Sequence, residues 1–217
     1  MKVHAYHDPR VGLTDNRILD LFRRNWESRG WEISILGPDD ATRHPRALGF
    51  SEWVARFPTQ NPREYELACY QRWLPMALRG GLAVDTDVLN NGLTPDMLDL
   101  SKMDVRWDSM GSLPFSLEAS HVPCALWGRE DQYEAMLDLF SNTKPSGHHT
   151  SDMLIFIANA PGRSYKVPLC SQYARAWNED NGTKGWRDYP MVHFASASIP
   201  TGRSKFDVMN DFVEGRL

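Results

Sequence analysis

The first 36 residues leave this chain little choice of fold class. Lys2 to Tyr6 reads as a short strand, closed by His7-Asp8-Pro9. Thr14 or Asp15 can cap the helix that follows, whose Ile18, Leu19, Leu21, Phe22 and Trp26 form one apolar stripe, and Gly30 stops it. Trp31 to Leu36 then alternates as a second strand, with Gly37-Pro38-Asp39-Asp40 as its closing turn. Strand, helix and strand at this spacing imply a right-handed crossover and a parallel pair. The expected class is α/β, with a mixed, mainly parallel central sheet flanked by helices.

The rest of the chain fits around that unit. Residues 41–62 read as polar, proline-rich loops around a short helix, in which Arg43, His44 and Arg46 either meet an anion or are simply solvated. Residues 63–79 form a helix, and Pro75 predicts a kink near Gln71, because its ring clashes with the carbonyl four residues back. Gly81 to Val88 is the expected third strand, apolar enough for a sheet centre. Asn90-Asn91-Gly92 then turns, and Thr94-Pro95-Asp96 opens a short helix through Met97, Leu98 and Leu100. Weak alternation over 104–128 suggests strands with loops, and Asp131 to Phe140 a helix. Ser151-Asp152 caps an apolar, buried helix from Met153 to Ala160. Tyr165 to Pro168 and Met191 to Phe194 are strands, and Lys205 to Val213 is a closing helix. No repeat or linker divides the chain, so residues 1–217 are read as one domain.

Composition narrows the function classes. A net charge of −4 argues against nucleic-acid binding by bulk charge alone, though a local basic groove is compatible with it. Three cysteines without a C-x-x-C pair suit reduced, buried thiols rather than a disulfide framework. Met1 to Pro9 has no apolar signal-peptide region, and no apolar run approaches the roughly 18 residues of a membrane span. The expectation is a cytoplasmic protein.

The chemistry-bearing stretch is Gly80-Gly81-Leu82-Ala83-Val84-Asp85-Thr86-Asp87-Val88. In a continuous strand Asp85 and Asp87 point to the same face. Two converging carboxylates repel unless a hard divalent cation sits between them. The same residues also suit a solvated turn.

The flanks of this motif carry a resemblance. Arg72, Leu78, Gly80-Gly81 and Asp85-Thr86-Asp87-Val88 together resemble the sugar-donor signature of the GT-A glycosyltransferases. In capsular and mannosyl/galactosyl members an arginine helix leads to Gly-Gly and then Y-L-D-T-D-V. Ala68-Cys69 stands where members often carry Ser-Asp, and Leu82-Ala83 lacks the aromatic. The tail adds a second likeness. Met191-Val192-His193-Phe194-Ala195-Ser196, followed by Ser198, Gly202, Arg203 and Lys205, resembles the H-F-x-G-x-x-K-P-W of glycogenin-type retaining enzymes, with Ser196 in place of glycine and no Lys-Pro-Trp. Val167 to Tyr173 echoes the L-P-x-x-Y-N that precedes it.

The resemblance implies a GT-A fold, with residues 1–92 as the donor half and 93–217 as the acceptor half with the metal and diphosphate loop. It implies transfer of a sugar from a nucleoside-diphosphate sugar, a UDP-sugar by preference, with retention, assisted by Mn²⁺ or Mg²⁺. Asp85, Asp87 and His193 are the implied metal ligands. Tyr6, His7, Arg72, Asp85, Ser196, Arg203 and Lys205 are the implied donor-binding residues. Asp152 is the implied catalytic carboxylate, its other reading being a helix cap, with Glu118 and Asp131 as weaker candidates. The implied acceptor is a glycan, or alternatively a modified base in phage DNA; the enzyme would be phage or bacterial.

Two rival functions remain. Asp85-Thr86-Asp87-Val88-Leu89 superficially matches the nucleophile loop of haloacid-dehalogenase phosphohydrolases, although that loop normally follows the first strand. A non-catalytic nucleotide-sugar-binding module is the other. His148-His149 reads as a loop, Asn181-Gly182-Thr183 as a glycosylation pattern without consequence in the cytoplasm, and Trp107, Trp127, Trp177 and Trp186 as core residues or stacking platforms.

Overall fold

A computed structural model describes residues 1–11, 15–98, 111–118, 121–145, 147–164, 166–173 and 185–217. Thr14, Leu100, Trp107, Tyr165, Trp177 and the 181–183 pattern lie outside the described residues. β1 (Lys2–Tyr6) and β2 (Glu32–Leu36) pair in parallel, joined by α1 (Asn16–Glu27). Asp15 caps that helix by accepting from the Arg17 backbone N–H. β3 (Gly81–Val84) adds in parallel to the other side of β1.

The described strands form one eight-stranded sheet in the order β2-β1-β3-β6-β5-β7-β8-β4. β5 is Phe115–Glu118, β6 is Ala125–Gly128, β7 is Lys166–Gln172 and β8 is Met191–His193. β6 runs antiparallel between β3 and β5, and β4 (Val88–Asn90) runs antiparallel to β8 at the far edge. Every other described pair is parallel. The carboxyl ends of β1, β3 and β8 therefore share one edge of the sheet, where open α/β sheets hold their ligands.

The sheet is buried on both faces. On β3, Leu82 and Val84 join a core with Trp26, Trp31, Phe115 and Leu117, while Ala83 packs on the opposite core of Phe50, Tyr70, Trp73, Tyr133, Phe140 and Phe156. The second core is built by α2 (Pro38–Thr42), α3 (Ala47–Val54), α4 (Arg63–Gln71), α5 (Trp73–Ala77), α6 (Glu130–Asn142) and α7 (Asp152–Asn159). α8 (Lys205–Val213) packs beside α1 against β4 and β8, through Ile18, Leu21, Leu89, Val192, Phe194, Val208 and Met209.

Several sequence expectations change. Gly37-Pro38-Asp39-Asp40 is a helix start rather than a closing turn, because Pro38 needs no N–H at the first helical position and Asp40 accepts from the Gly37 N–H at 3.1 Å. The cluster at 43–46 is structural: Arg43 pairs with Asp40, His44 with Glu134 at 2.9 Å, and Arg46 with Glu134 and Asp138 at 2.7 Å. Pro75 does divide the helix, which ends at Gln71 and restarts at Trp73 with Arg72 as the shared cap. α7 is only half buried, since Met153 and Leu154 are exposed.

The largest change is that Gly81 to Val88 is two strands. β3 stops at Val84, Asp85 to Asp87 turn, and β4 leaves to pair with β8 across the sheet. The Asp85 carbonyl accepts from the Val88 N–H at 2.9 Å, closing the turn. The crossing is pinned by α1. Trp26 Nε1 donates to the Val88 carbonyl at 3.0 Å, while Asn25 donates to the Asn90 carbonyl at 3.1 Å and accepts from its N–H at 2.7 Å. Asn25→Ala leaves two buried backbone groups of an edge strand short of a partner. It is expected to cost about 2–3 kcal/mol, read from the urea unfolding midpoint at unchanged slope.

Candidate functional site

The turn between β3 and β4 is held from two sides by backbone hydrogen bonds. The Asp85 N–H donates to the Cys124 carbonyl at 2.8 Å, and the Phe194 N–H donates to the Asp87 carbonyl at 2.9 Å. The first ties the turn to the entry of β6 and the second to the exit of β8. His193, the last residue of β8, opposes Val88 in the register, which brings its imidazole beside Asp87. Asp85, Asp87 and His193 each present a ligand atom, and these atoms lie within 4.8 Å of one another. The i, i+2 spacing brings the carboxylates together through a turn and not, as the sequence suggested, through a strand.

Each carboxylate has a cationic partner. Arg72 Nη1 donates to Asp85 Oδ1 at 2.5 Å, and Lys205 Nζ donates to Asp87 Oδ2 at 2.6 Å. His193 Nε2 lies 3.5 Å from Asp87 Oδ1. Burial opposes ionisation of Asp87, but His193 and Lys205 outweigh it and hold the carboxyl below its ordinary range. Burial and the neighbouring Asp87 push Asp85 upward, against the pull of Arg72. One carboxyl raised and its neighbour lowered is the behaviour of two acids that share a site.

Burial also disfavours the charged form of His193, yet Cys124 and Asp87 raise it well above the ordinary imidazole range. Cys124 contacts Cys170 and is buried, so its thiol is pushed up and uncharged, and Asp87 carries the effect. Among the described residues, His193 Nδ1 is buried and meets no conventional hydrogen-bond partner.

Arg72, Asp85, Asp87 and Lys205 form one end of an open cleft of about 700 Å³, while His193, buried beside Asp87, is not among its lining residues. Tyr6, His7, Arg72, Asp85, Asp87, Ser196 and Lys205, all singled out in the sequence, line it. Arg203 does not: its guanidinium is paired with Asp211 on α8. Glu118 is fully buried and accepts from the Val122 N–H, and Asp131 pairs with Arg129 at a separate groove near Gly80 and Trp127. His149 accepts from the Gln60 N–H, and Trp186 packs on Tyr173 and Phe212.

Asp152 is placed behind the cleft rather than in it. Its side chain is 4% exposed, and its Oδ2 accepts from Arg72 Nε at 3.1 Å, Arg72 Nη2 at 2.7 Å and Trp73 Nε1 at 2.9 Å. Nor is it the helix cap, since the Ser151 side chain accepts from the Leu154 N–H. Asp152 reaches the cleft through Arg72, whose fixed orientation leaves Nη1 for Asp85.

The sequence reading missed part of the lining: Asp8, Asn61, Tyr65, Cys69, Ser204 and Phe206. Tyr65, Ala68, Cys69 and Arg72 recur at i, i+3, i+4 and i+7, one stripe of α4 running into its cap. Of that stripe, the sequence points to Arg72 as donor-binding and sets Ala68-Cys69 against the family's Ser-Asp, but it assigns Tyr65 and Cys69 no place in the site. Asp8 is held by Arg10 through Nη2 at 2.6 Å and Nε at 2.8 Å, and those bonds keep its carboxyl low.

No known family profile matches this chain, and no curated protein matches it in sequence. Solved structures that share its architecture include two of LgtC. An active-site mutant of LgtC aligns over 100% of this chain and 96% of its own, at 13% identity and a TM-score of 0.51. The galactosyltransferase LgtC in complex with donor and acceptor sugar analogues aligns over 99% and 96%, also at 13% identity, with a TM-score of 0.54. The chain has the GT-A fold.

Asp152→Ala removes the acceptor for three donors around a largely buried guanidinium. It is expected to destabilise the protein by about 2–3 kcal/mol in chemical denaturation. Asp152→Asn, which keeps one carbonyl acceptor, is expected to recover part of that loss.

Proposed function

We propose that this protein is a metal-dependent glycosyltransferase that moves a sugar from a nucleoside-diphosphate sugar, a UDP-sugar by preference, to an acceptor hydroxyl with retention. The observation that carries the reading is the convergence of Asp85, Asp87 and His193, with the two carboxylates lining a cleft at the carboxyl ends of β1, β3 and β8. The donor set suits a divalent cation of the Mn²⁺ or Mg²⁺ type: two carboxylates and one imidazole, close enough to share an ion. The closeness of the two partly buried carboxylates supports the same fit, since adjacent acids favour a positive charge shared between them.

The division of labour follows from position. Tyr6, His7 and Asp8, at the end of β1, hold the nucleoside. Ser196 and Lys205 face the diphosphate across the cleft. Arg72, locked by Asp152 and Trp73, offers a fixed guanidinium to the donor. Bound metal supplies Lewis-acid stabilisation of the diphosphate leaving group. In the transfer the anomeric carbon–oxygen bond to diphosphate breaks, a bond to the acceptor oxygen forms, and the acceptor proton leaves. Retention follows either from attack on the face the diphosphate leaves, where a phosphate oxygen would take that proton, or from two successive inversions through an enzyme nucleophile. Asp152 is a positioning residue here, and retention itself rests on the likeness of the tail to retaining enzymes. The acceptor is a glycan or, alternatively, a modified base.

The phosphohydrolase reading loses ground on geometry. Its nucleophile would be a carboxylate free to attack phosphorus, whereas Asp85 is engaged with Arg72 at 2.5 Å and follows the third strand. Among the described residues, no helix is long and apolar enough to cross a membrane.

The test is a thermal-shift screen of UDP, UDP-sugars and GDP-sugars with and without Mn²⁺. At about 100 times Kd the donor is expected to raise Tm by roughly 5–10 °C, and only when metal is present. Asp87→Ala is expected to lose both the metal-dependent shift and sugar transfer. Full transfer in that variant, or in excess chelator, refutes the metal role; a metal-dependent shift without transfer to any acceptor supports the binding-module reading instead.

A further inference from the structure

We propose that Lys205 is a resident counter-cation that makes metal binding and diphosphate binding depend on each other; the proposal rests on the donor-site reading above. Both carboxylates of the ligand cluster are capped by a side-chain cation, but the two cations are held differently. Arg72 is anchored from behind through Asp152 Oδ2, which accepts from both its Nε and its Nη2, so it stays with Asp85 whatever enters the cleft. Lys205 has no such anchor. Among the described residues its ammonium makes one ion pair, with Asp87 Oδ2 at 2.6 Å, and its side chain is 24% exposed toward the cleft.

Its place in the chain is electrostatically unfavourable for anything but an anion. Lys205 is the first residue of α8, immediately after the Ser204 cap. The amino end of a helix carries partial positive charge, so a lysine there is repelled by its own helix. Asp87 now offsets that cost, and a diphosphate arriving at the cleft would do so equally well. The flexible four-carbon stem lets the ammonium move between the two without moving the helix.

The consequence is thermodynamic. Without a nucleotide, a divalent cation approaching Asp87, Asp85 and His193 meets the Lys205 charge on one of its own ligands. Either Lys205 gives up its partner or two cations crowd one carboxylate, and metal affinity falls in both cases. A diphosphate supplies Lys205 with another partner, and metal affinity rises. By linkage, metal raises diphosphate affinity by the same factor. The cleft is thereby kept from filling with metal alone.

The experiment follows free Mn²⁺ by its electron paramagnetic resonance signal, titrating the full chain with and without UDP. Wild type, Lys205→Met and Lys205→Arg are compared, and Asp87→Ala with UDP corrects for Mn²⁺ held by UDP in solution. Lys205→Met, which keeps the stem and removes the charge, is expected to bind Mn²⁺ alone about tenfold tighter than wild type, while the gain on adding UDP shrinks. Lys205→Arg is expected to behave as wild type, which separates charge from packing, and thermal melts check that each variant is folded. Unchanged or weaker Mn²⁺ binding by folded Lys205→Met overturns the proposal, as does an undiminished UDP gain. If wild type binds no Mn²⁺ with or without UDP, the donor-site reading falls as well; if it binds and the variant matches it, only the role of Lys205 falls.

Discussion

The structure depends on one guanidinium. Arg72 lies where α4 breaks into α5, and it spans two carboxylates that belong to distant segments: Asp85 after β3 and Asp152 at the start of α7. Its side chain is only 19% exposed, so neither partner can be lost without leaving charge in a poor solvent. Pro75 creates the break and Asp152 orients the arginine through two nitrogens. What emerges into the cleft is a single nitrogen aimed at Asp85. A free arginine would spend rotamer entropy to reach the same geometry.

The second constraint is the turn that carries the carboxylates. A continuous strand would have kept Asp85 and Asp87 within the middle of the sheet, with no route to His193. Breaking the strand sends β4 to the far edge, where it pairs with β8 and places Val88 opposite His193. The apolar run ends at the break because the chain leaves one strand position and enters another. Gly80 and Gly81 start β3 with positive φ. A side chain on Gly80 would meet the Glu130 N and Gly128 O at 3.2 Å, so the glycine pair serves close packing of β3 on the α6 start rather than a phosphate loop.

Much of this was legible in sequence because it depends on local rules. The βαβ unit follows from an apolar stripe between two alternating runs, and the kink from one proline. The convergence of Asp85, Asp87 and His193 came through family likeness, since nothing local connects residue 87 to residue 193. What was misread depends on context beyond a few residues. Asp152 looked like a cap or a catalytic acid because serine, aspartate and an apolar run suit both. Only the structure shows that its carboxylate faces Trp73 and Arg72, which lie 79 and 80 residues away. Arg203 and Lys205 lie two residues apart with the same charge, yet one faces Asp211 and the other Asp87. Sequence spacing cannot separate them, because the difference is set by where α8 begins.

That last contrast bears on how a site of opposed charges stays folded before any ligand arrives. Asp85 and Asp87 are held together by backbone hydrogen bonds, from the Asp85 N–H to the Cys124 carbonyl and from the Phe194 N–H to the Asp87 carbonyl, so their repulsion is built in by the sheet. The fold answers it with one cation anchored from behind, Arg72, and one held by Asp87, Lys205. A fixed cation at both positions would satisfy the carboxylates permanently and close the cluster to metal. A movable one at both would leave the turn without an anchor. On the role proposed for Lys205, the asymmetry between a guanidinium locked by Asp152 and an ammonium held by one carboxylate would let the same two acids stabilise the resting fold and still exchange a partner.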